Sequence, residues 1–410
     1  MTRSVPVAGA RAAGIGAPPA AGRPRRVLLV FGGLERAGAQ LRMMEVCREL
    51  RRDHLVAFDL CSLDLAADDL WPEAPSLGGA PRRVSIRSPW FPLRFARLLR
   101  AERYDAVLTE PQLLSGLVVL LAALAGVPVR IAAIHNMLGA PGQSATNPLV
   151  RAVLANRAFV WAMRALIRTC ATDVVAVSRS ALDSVLPGRW QAGHRCRVVY
   201  NGTDVAPFQE PPDRAGVRAE FGWAPDRRIL IHVGRMSPQK NHRGILEVMR
   251  LVLDREPAAR LLLVGDGKLR GEVERWIDRL GLRDVCAVTS GRRDVPRLLL
   301  ASDVFLFPSL WEGLPGAPLE ALAAGLPVVA SDIPPIREIQ PYFPGSILVS
   351  PPGDAEAHAR NVLEALRRAP DREAVRARFE RSPFALARSV EAYRDLFRLR
   401  AGRPEEGDAR

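Results

Sequence analysis

A chain of 410 residues with 48% hydrophobic and 25% charged side chains is too long for one ordinary core and has the balance of a globular protein, which excludes a fibrous or disordered class. Its five cysteines form no C-x-x-C pair, which speaks against a disulfide framework or a zinc site and for a reducing cytoplasm. The net charge of +14 is uneven: residues 1–200 carry 26 Arg against 14 acidic residues, so +12 falls there and +2 in the remainder, with no zinc-finger or RNA-recognition signature to suggest nucleic acid.

The first 24 residues are rich in Ala, Gly, Pro and Arg, without an acidic residue or an apolar core. That composition is no signal peptide and predicts a disordered extension. Strand patterns follow at 27–31, 54–60, 106–109, 129–134, 174–177 and 197–200, separated by helical segments. The first strand leads into G-G-L-E-R-A-G-A-Q at 32–40 and an amphipathic helix over about 39–50, where amides of a Gly-rich turn can approach a phosphate. The longest apolar stretch, 113–126, falls short of the roughly 20 residues that span a bilayer and predicts a buried helix. His135 closes the strand 129–134. A helix over 147–170 places Arg157, Arg164 and Arg168 on one face with Trp161; it is either a core helix with a solvated basic face or a membrane-docking helix.

Pro207, Pro211 and Pro212 interrupt regular structure at 202–216, the expected linker. The second half repeats the alternation, with strands at 229–233, 260–264, 285–288, 304–307, 328–330 and 346–349. This is the βαβ signature of two parallel-sheet, Rossmann-like domains. Polar, Gly- and Pro-rich loops follow two of these strands, where an open parallel sheet binds ligands. In the first, G-R-M-S-P-Q-K-N at 234–241, Lys240 is one of only two lysines in the chain. A fork-shaped Arg235 and a compact Lys240 there suit one diphosphate. In the second, P-S-L-W-E-G-L-P-G-A-P-L-E-A at 308–321, Glu312 lies in the loop and Glu320 in the helix beyond it. Each carboxylate can accept from vicinal hydroxyls of a sugar or ribose, and helix amides at the same end favour an anion.

These loops, together with V-V-Y-N-G-T-D at 198–204, L-L-L-V-G-D-G at 261–267 and G-L-P-V-V-A-S-D at 325–332, resemble family 4 retaining glycosyltransferases of the GT-B fold. The resemblance is sharpest over about 198–338 and extends more weakly over about 26–400. It implies an α/β chain with two Rossmann-like domains, their parallel sheets facing across a cleft. The first, 25–203, would receive the acceptor; the second, 204–382, would bind the nucleotide sugar. A helix at 383–400 would cross back to the first domain, leaving a tail at 401–410. The implied reaction transfers a sugar from a nucleoside diphosphate donor to an acceptor hydroxyl with retention, by a front-face mechanism in which the leaving phosphate helps deprotonate the acceptor.

By the same resemblance, Arg235 and Lys240 stabilise the leaving diphosphate in place of a metal, in line with the lack of a D-x-D motif, and the donor is a substrate, with no cofactor. Glu312 and the segment Gly313, Leu314, Pro315, Gly316 hold the donor sugar, Glu320 the ribose, and the loop ending at Arg292 borders the base. His135 sits near the transferred sugar. Gly38 falls in a G-G-A-E-like motif where this chain has Ala37, Gly38, Ala39 and Gln40, so the acid is missing. The implied partners are a nucleotide sugar and a carbohydrate, lipid-linked or small-molecule acceptor. Assembly of surface polysaccharide or glycolipid is the first expectation. The alternatives are tailoring of a small natural product and a noncatalytic GT-B binding protein. The basic first half suits an anionic acceptor or peripheral contact with the anionic inner face of the plasma membrane.

Overall fold

The computed structural model describes residues 23–34, 38–65, 71–138, 156–188, 195–368 and 370–398. The extension at 1–22, the tail at 401–410 and the segment 147–155 lie outside them. The first sheet contains β1 (Arg25–Phe31), β2 (Val56–Ser62), β3 (Gly78–Arg83), β4 (Ala106–Thr109), β5 (Val129–Ile134), β6 (Asp173–Ala176) and β7 (Cys196–Val198). Its strands are parallel, in the order β3-β2-β1-β4-β5-β6-β7. The accompanying helices are α1 (Gly38–Arg51), α2 (Phe91–Glu102), α3 (Ser115–Leu124), α4 (Arg157–Cys170) and α5 (Arg179–Val185). Alternation within β1 explains the layers: Val27, Leu29 and Phe31 enter the core under α1, while Leu28 and Val30 enter the one under α2 and α3.

The second sheet, also parallel, runs β10-β9-β8-β11-β12-β13, with β8 (Arg228–Val233), β9 (Ala259–Val264), β10 (Cys286–Thr289), β11 (Val304–Phe307), β12 (Val328–Ser331) and β13 (Ile347–Ser350). Around it lie α6 (Arg214–Glu220), α7 (His242–Leu253), α8 (Arg270–Arg279), α9 (Val295–Ala301), α10 (Gly316–Ala323), α11 (Pro334–Ile339), α12 (Ala355–Arg368) and α13 (Arg372–Arg381). Ile229 and Ile231 face one core and Leu230 the other. Strand order reverses between β1 and β4 in the first sheet and between β8 and β11 in the second. In such sheets the crevice beyond the strand ends at the reversal is the ligand position.

The last helix, α14 (Leu386–Leu396), belongs to the first domain's core. Tyr393, Leu396 and Phe397 are buried there, with Phe397 edge-on to Phe58 at 5.7 Å. Its entry runs beside the outgoing connection: Thr203 donates to the Phe384 carbonyl at 2.8 Å and Leu386 to that of Thr203 at 3.0 Å. Among the described residues no helix is long and apolar enough to cross a membrane; α3 is the buried helix expected at 113–126. β3 has no place in the sequence reading, because G-G-A-P-R-R at a sheet edge shows no apolar alternation; it is held partly by the amide of Ala80 on the Asp59 carboxylate at 2.8 Å. The described part of the helix expected over 147–170 is α4, which begins at Arg157, where the Asn156 side chain caps it by accepting from the Phe159 amide at 3.1 Å.

Candidate functional site

At the second domain's switch point, the loop after β9 supports the loop after β8. Gly265 and Gly267 have φ of 151° and 156°, and a Cβ on either would collide with the carbonyl of Gly234 or Met236. The Met236 amide donates to the Asp266 carbonyl at 2.8 Å, fixing the two loops together. Asn241, at φ 52°, accepts from the Gly244 amide at 3.2 Å to cap α7 and donates to the Pro308 carbonyl at 3.3 Å. The Leu310 amide completes the join on the Gln239 carbonyl at 2.9 Å. The loops after β8 and β11 are therefore one unit.

That unit places Lys240 on Glu312. The ammonium donates to Oε1 at 2.6 Å, Gln239 Nε2 donates to Oε2 at 2.8 Å, and Glu312 is only 6% exposed. Lys240 Nζ also lies 4.9 Å from the centre of the Phe307 ring. Arg235 is exposed and has no hydrogen bond or ion pair with the described residues. Lys240 is thus engaged with Glu312 and Arg235 is open to solvent. Behind the loop, burial pushes His232 well below the usual imidazole range, reinforced by His242 and Lys240. Burial and Lys240 likewise bring His242 down to about 4. Both rings are neutral at ordinary pH and add no positive charge beside Lys240.

The first domain meets this unit directly. A Cβ on Gly313 would strike the His135 carbonyl, so the glycine permits backbone contact between the domains. Ser178 Oγ donates to the Gly313 carbonyl at 2.9 Å. Leu314 packs against both the second domain's core and the first-domain cluster around Ile134 and Val177. Glu338 clasps the same interface, accepting from the amides of Arg179 at 2.9 Å and Ser180 at 3.0 Å at the start of α5. His135, buried at the end of β5, lies with Nε2 3.1 Å from Oε1 of Glu110, which follows β4. Neither ring nitrogen has a well-aligned hydrogen bond with the described residues, nor does that Glu110 oxygen.

Gly38 and Gly316 begin α1 and α10, and a Cβ on either would meet nothing within 4 Å. One turn into each helix, the Arg42 guanidinium pairs with the Glu320 carboxylate across the domains. Arg42 also donates to Glu45 at 2.7 Å. Burial opposes its charge, yet Glu320 and Glu45 together hold its pKa above the usual value. Burial raises the Glu320 carboxyl, with Arg42 opposing that effect. The structure therefore brings Lys240, Gln239 and Glu312 together on one side, and Gly313, Leu314 and His135 together at the domain contact, while Pro315 and Gly316 lead into the helix bearing Glu320. Arg292 is directed elsewhere: it forms a fork on Asp294, at 2.7 and 2.6 Å, and pairs with Glu220 of α6. Sequence reasoning passed over Arg42, Glu110, Gln239 and Glu338. Only Arg42 left a sequence trace, its three-residue spacing from Glu45 on a helix.

The Glycosyltransferase Family 4 profile matches residues 36–207, and that of Glycosyl transferases group 1 matches 213–381. A Bacillus subtilis protein named as a glycosyltransferase, EpsF, is 32% identical over 318 residues, covering 75% of this chain and 79% of its own. The chain belongs to glycosyltransferase family 4. It resembles the Staphylococcus aureus capsular polysaccharide biosynthesis glycosyltransferase CapH, at 26% identity over 78% of this chain and 85% of the other. It also resembles an Escherichia coli UDP-Gal:alpha-D-GlcNAc-diphosphoundecaprenol alpha-1,3-galactosyltransferase, at 28% identity over 58% of this chain and 60% of the other. Among solved structures, Anabaena HepE in complex with UDP superposes with a TM-score of 0.76 at 17% identity, over 91% of this chain and 99% of that one. The fold of this glycosyltransferase is GT-B.

Proposed function

We propose that this glycosyltransferase moves a sugar from a nucleoside diphosphate donor to a hydroxyl of a growing surface polysaccharide or glycolipid, with retention and without a metal. The observation that carries the reading is the joined loop pair at the second switch point. It carries the Lys240–Glu312 pair and exposed Arg235 on one joined unit, and continues through Gly313 to the helix bearing Glu320. Breaking the sugar–diphosphate bond leaves negative charge, and fixed cations beside it lower the barrier. Arg235 and Lys240 take that role; Glu312, with Gly313 to Gly316, faces the sugar; Glu320 takes the ribose. His135, held against the Gly313 backbone, completes the sugar pocket from the first domain.

The names of the relatives support the acceptor class: one acts in capsular polysaccharide biosynthesis and one on a diphosphoundecaprenol-linked sugar. On α4, Trp161 is 72% exposed and Arg157 and Arg168 are exposed, a face suited to an anionic membrane. Arg164 contributes less to that face, because it donates to the Ser184 carbonyl at 3.0 Å. Incubation with UDP- and GDP-sugars and a lipid-diphosphate-linked saccharide tests the reading. Release of nucleoside diphosphate matched by a lengthened glycolipid is expected; failure with every pair, from folded protein, refutes it.

A further inference from the structure

Arg42 lies in the first domain and Glu320 in the second, and their side chains are only 15% and 23% exposed. The guanidinium is braced from its own helix: Nη1 donates to Glu45 and Nη2 to Oε1 of Glu320. No described residue engages Oε2 of Glu320. A carboxylate has roughly four acceptor sites, so the contact with Arg42 orients Glu320 while leaving capacity for hydroxyl donors. The charged groups acting on Glu320 are Arg42 and Glu45, both from α1; α9, α13, β11 and β12 also pack on α10 and contribute none. Burial favours the neutral acid, Glu45 adds to that, and Arg42 works against both.

We propose that Arg42 is a positioning residue for nucleotide recognition: reaching across from the first domain, it holds the Glu320 carboxylate that accepts the ribose hydroxyls. This rests on the assignment of Glu320 to ribose. It makes nucleotide affinity, nominally a property of the second domain, depend on contact with the first. The pH dependence has a definite sign. The ionised Glu320 binds, so affinity is full above its pKa and is lost as pH falls through it. Removing the nearby cation raises that pKa further, and the loss then begins at higher pH.

The test is calorimetric titration of the full chain with UDP, GDP and their 2′-deoxy forms across about pH 5 to 8, a range that brackets a raised carboxyl. Arg42→Gln is expected to weaken the nucleoside diphosphate on the order of tenfold, as loss of a charged hydrogen-bond partner does. It also narrows the preference for ribose over deoxyribose and moves the acid limb upward. Arg42→Lys, which keeps the charge, is expected to keep the acid limb close to wild type, and it serves as the readout if Arg42→Gln does not fold. An Arg42→Gln protein with wild-type affinity, ribose preference and acid limb overturns the proposal, provided Glu320→Gln weakens binding. So does an Arg42→Lys protein whose acid limb has moved upward from that of wild type. If Glu320→Gln itself binds as wild type does, the ribose assignment is the one that fails. Wild-type protein that binds neither UDP nor GDP overturns both.

Discussion

Replacing Lys240 by Met separates the two tasks that the structure gives this side chain. The ammonium is 2.6 Å from Glu312 Oε1, with side-chain exposures of 16% and 7%. Removing one partner of a buried pair costs about 3–5 kcal/mol, because a charge is left unmatched. Gln239 still donates to the other oxygen at 2.8 Å, so the lower end, about 3 kcal/mol, is expected. For a domain of this size that lowers Tm by roughly 6–12 °C, at about 2–4 °C per kcal/mol. Met also keeps aliphatic cover over Phe307. Turnover falls separately, by about a hundredfold or more, if the ammonium stabilises the leaving diphosphate. The double variant Lys240→Met/Glu312→Gln regains most of the stability, since neither charge is orphaned, but none of the activity. Calorimetric unfolding and nucleotide-release kinetics complete the cycle. A single variant that unfolds early yet turns over normally while folded makes Lys240 purely structural. A double variant as unstable as the sum of the singles shows that the pair is not coupled.

Glu320→Gln is expected to weaken binding of the free nucleoside diphosphate, whereas Glu312→Gln leaves it close to wild type and impairs transfer; calorimetry and kinetics read the split, and equal binding losses would show that one assignment is misplaced. Gly313→Ala drives a methyl into the His135 carbonyl and should lower Tm and turnover together; normal values for both would mean that the domains do not meet there during catalysis. The combined change of Trp161 to Ala and of Arg157 and Arg168 to Gln should abolish sedimentation with anionic vesicles at low salt while sparing donor hydrolysis, at about 1 kcal/mol per basic residue. Wild-type protein that does not sediment contradicts the membrane docking.

Much of the fold is written in local pattern. The apolar runs of β1 and β8 are buried on both sheet faces, and such runs between helical segments identify parallel strands without further information. β3 escapes for the opposite reason, since its residues are at most half-buried and edge pairing leaves no apolar signature. Lys240 stands out because lysine is rare here and Glu312 because it sits in a Gly- and Pro-rich loop after a strand, but their pairing does not, since the hydrogen bonds from Leu310 and Asn241 that bring the two loops together form only on folding. Arg42 is one arginine among many, and its contact lies 278 residues away. Arg292 sits on the expected loop, yet Asp294, two residues on, determines where its guanidinium points.

Sugar transfer from a nucleoside diphosphate donor, with retention, is the reaction proposed at the loops after β8 and β11. Proton NMR of the glycoside formed from an α-linked nucleotide sugar in the presence of a chelator tests it most directly, with nucleoside diphosphate release followed in the same tube. An α-linked product, formed in step with released nucleoside diphosphate at an unchanged rate and lost in Lys240→Met, is the predicted result. A β-linked product, or turnover that stops with the chelator, contradicts it.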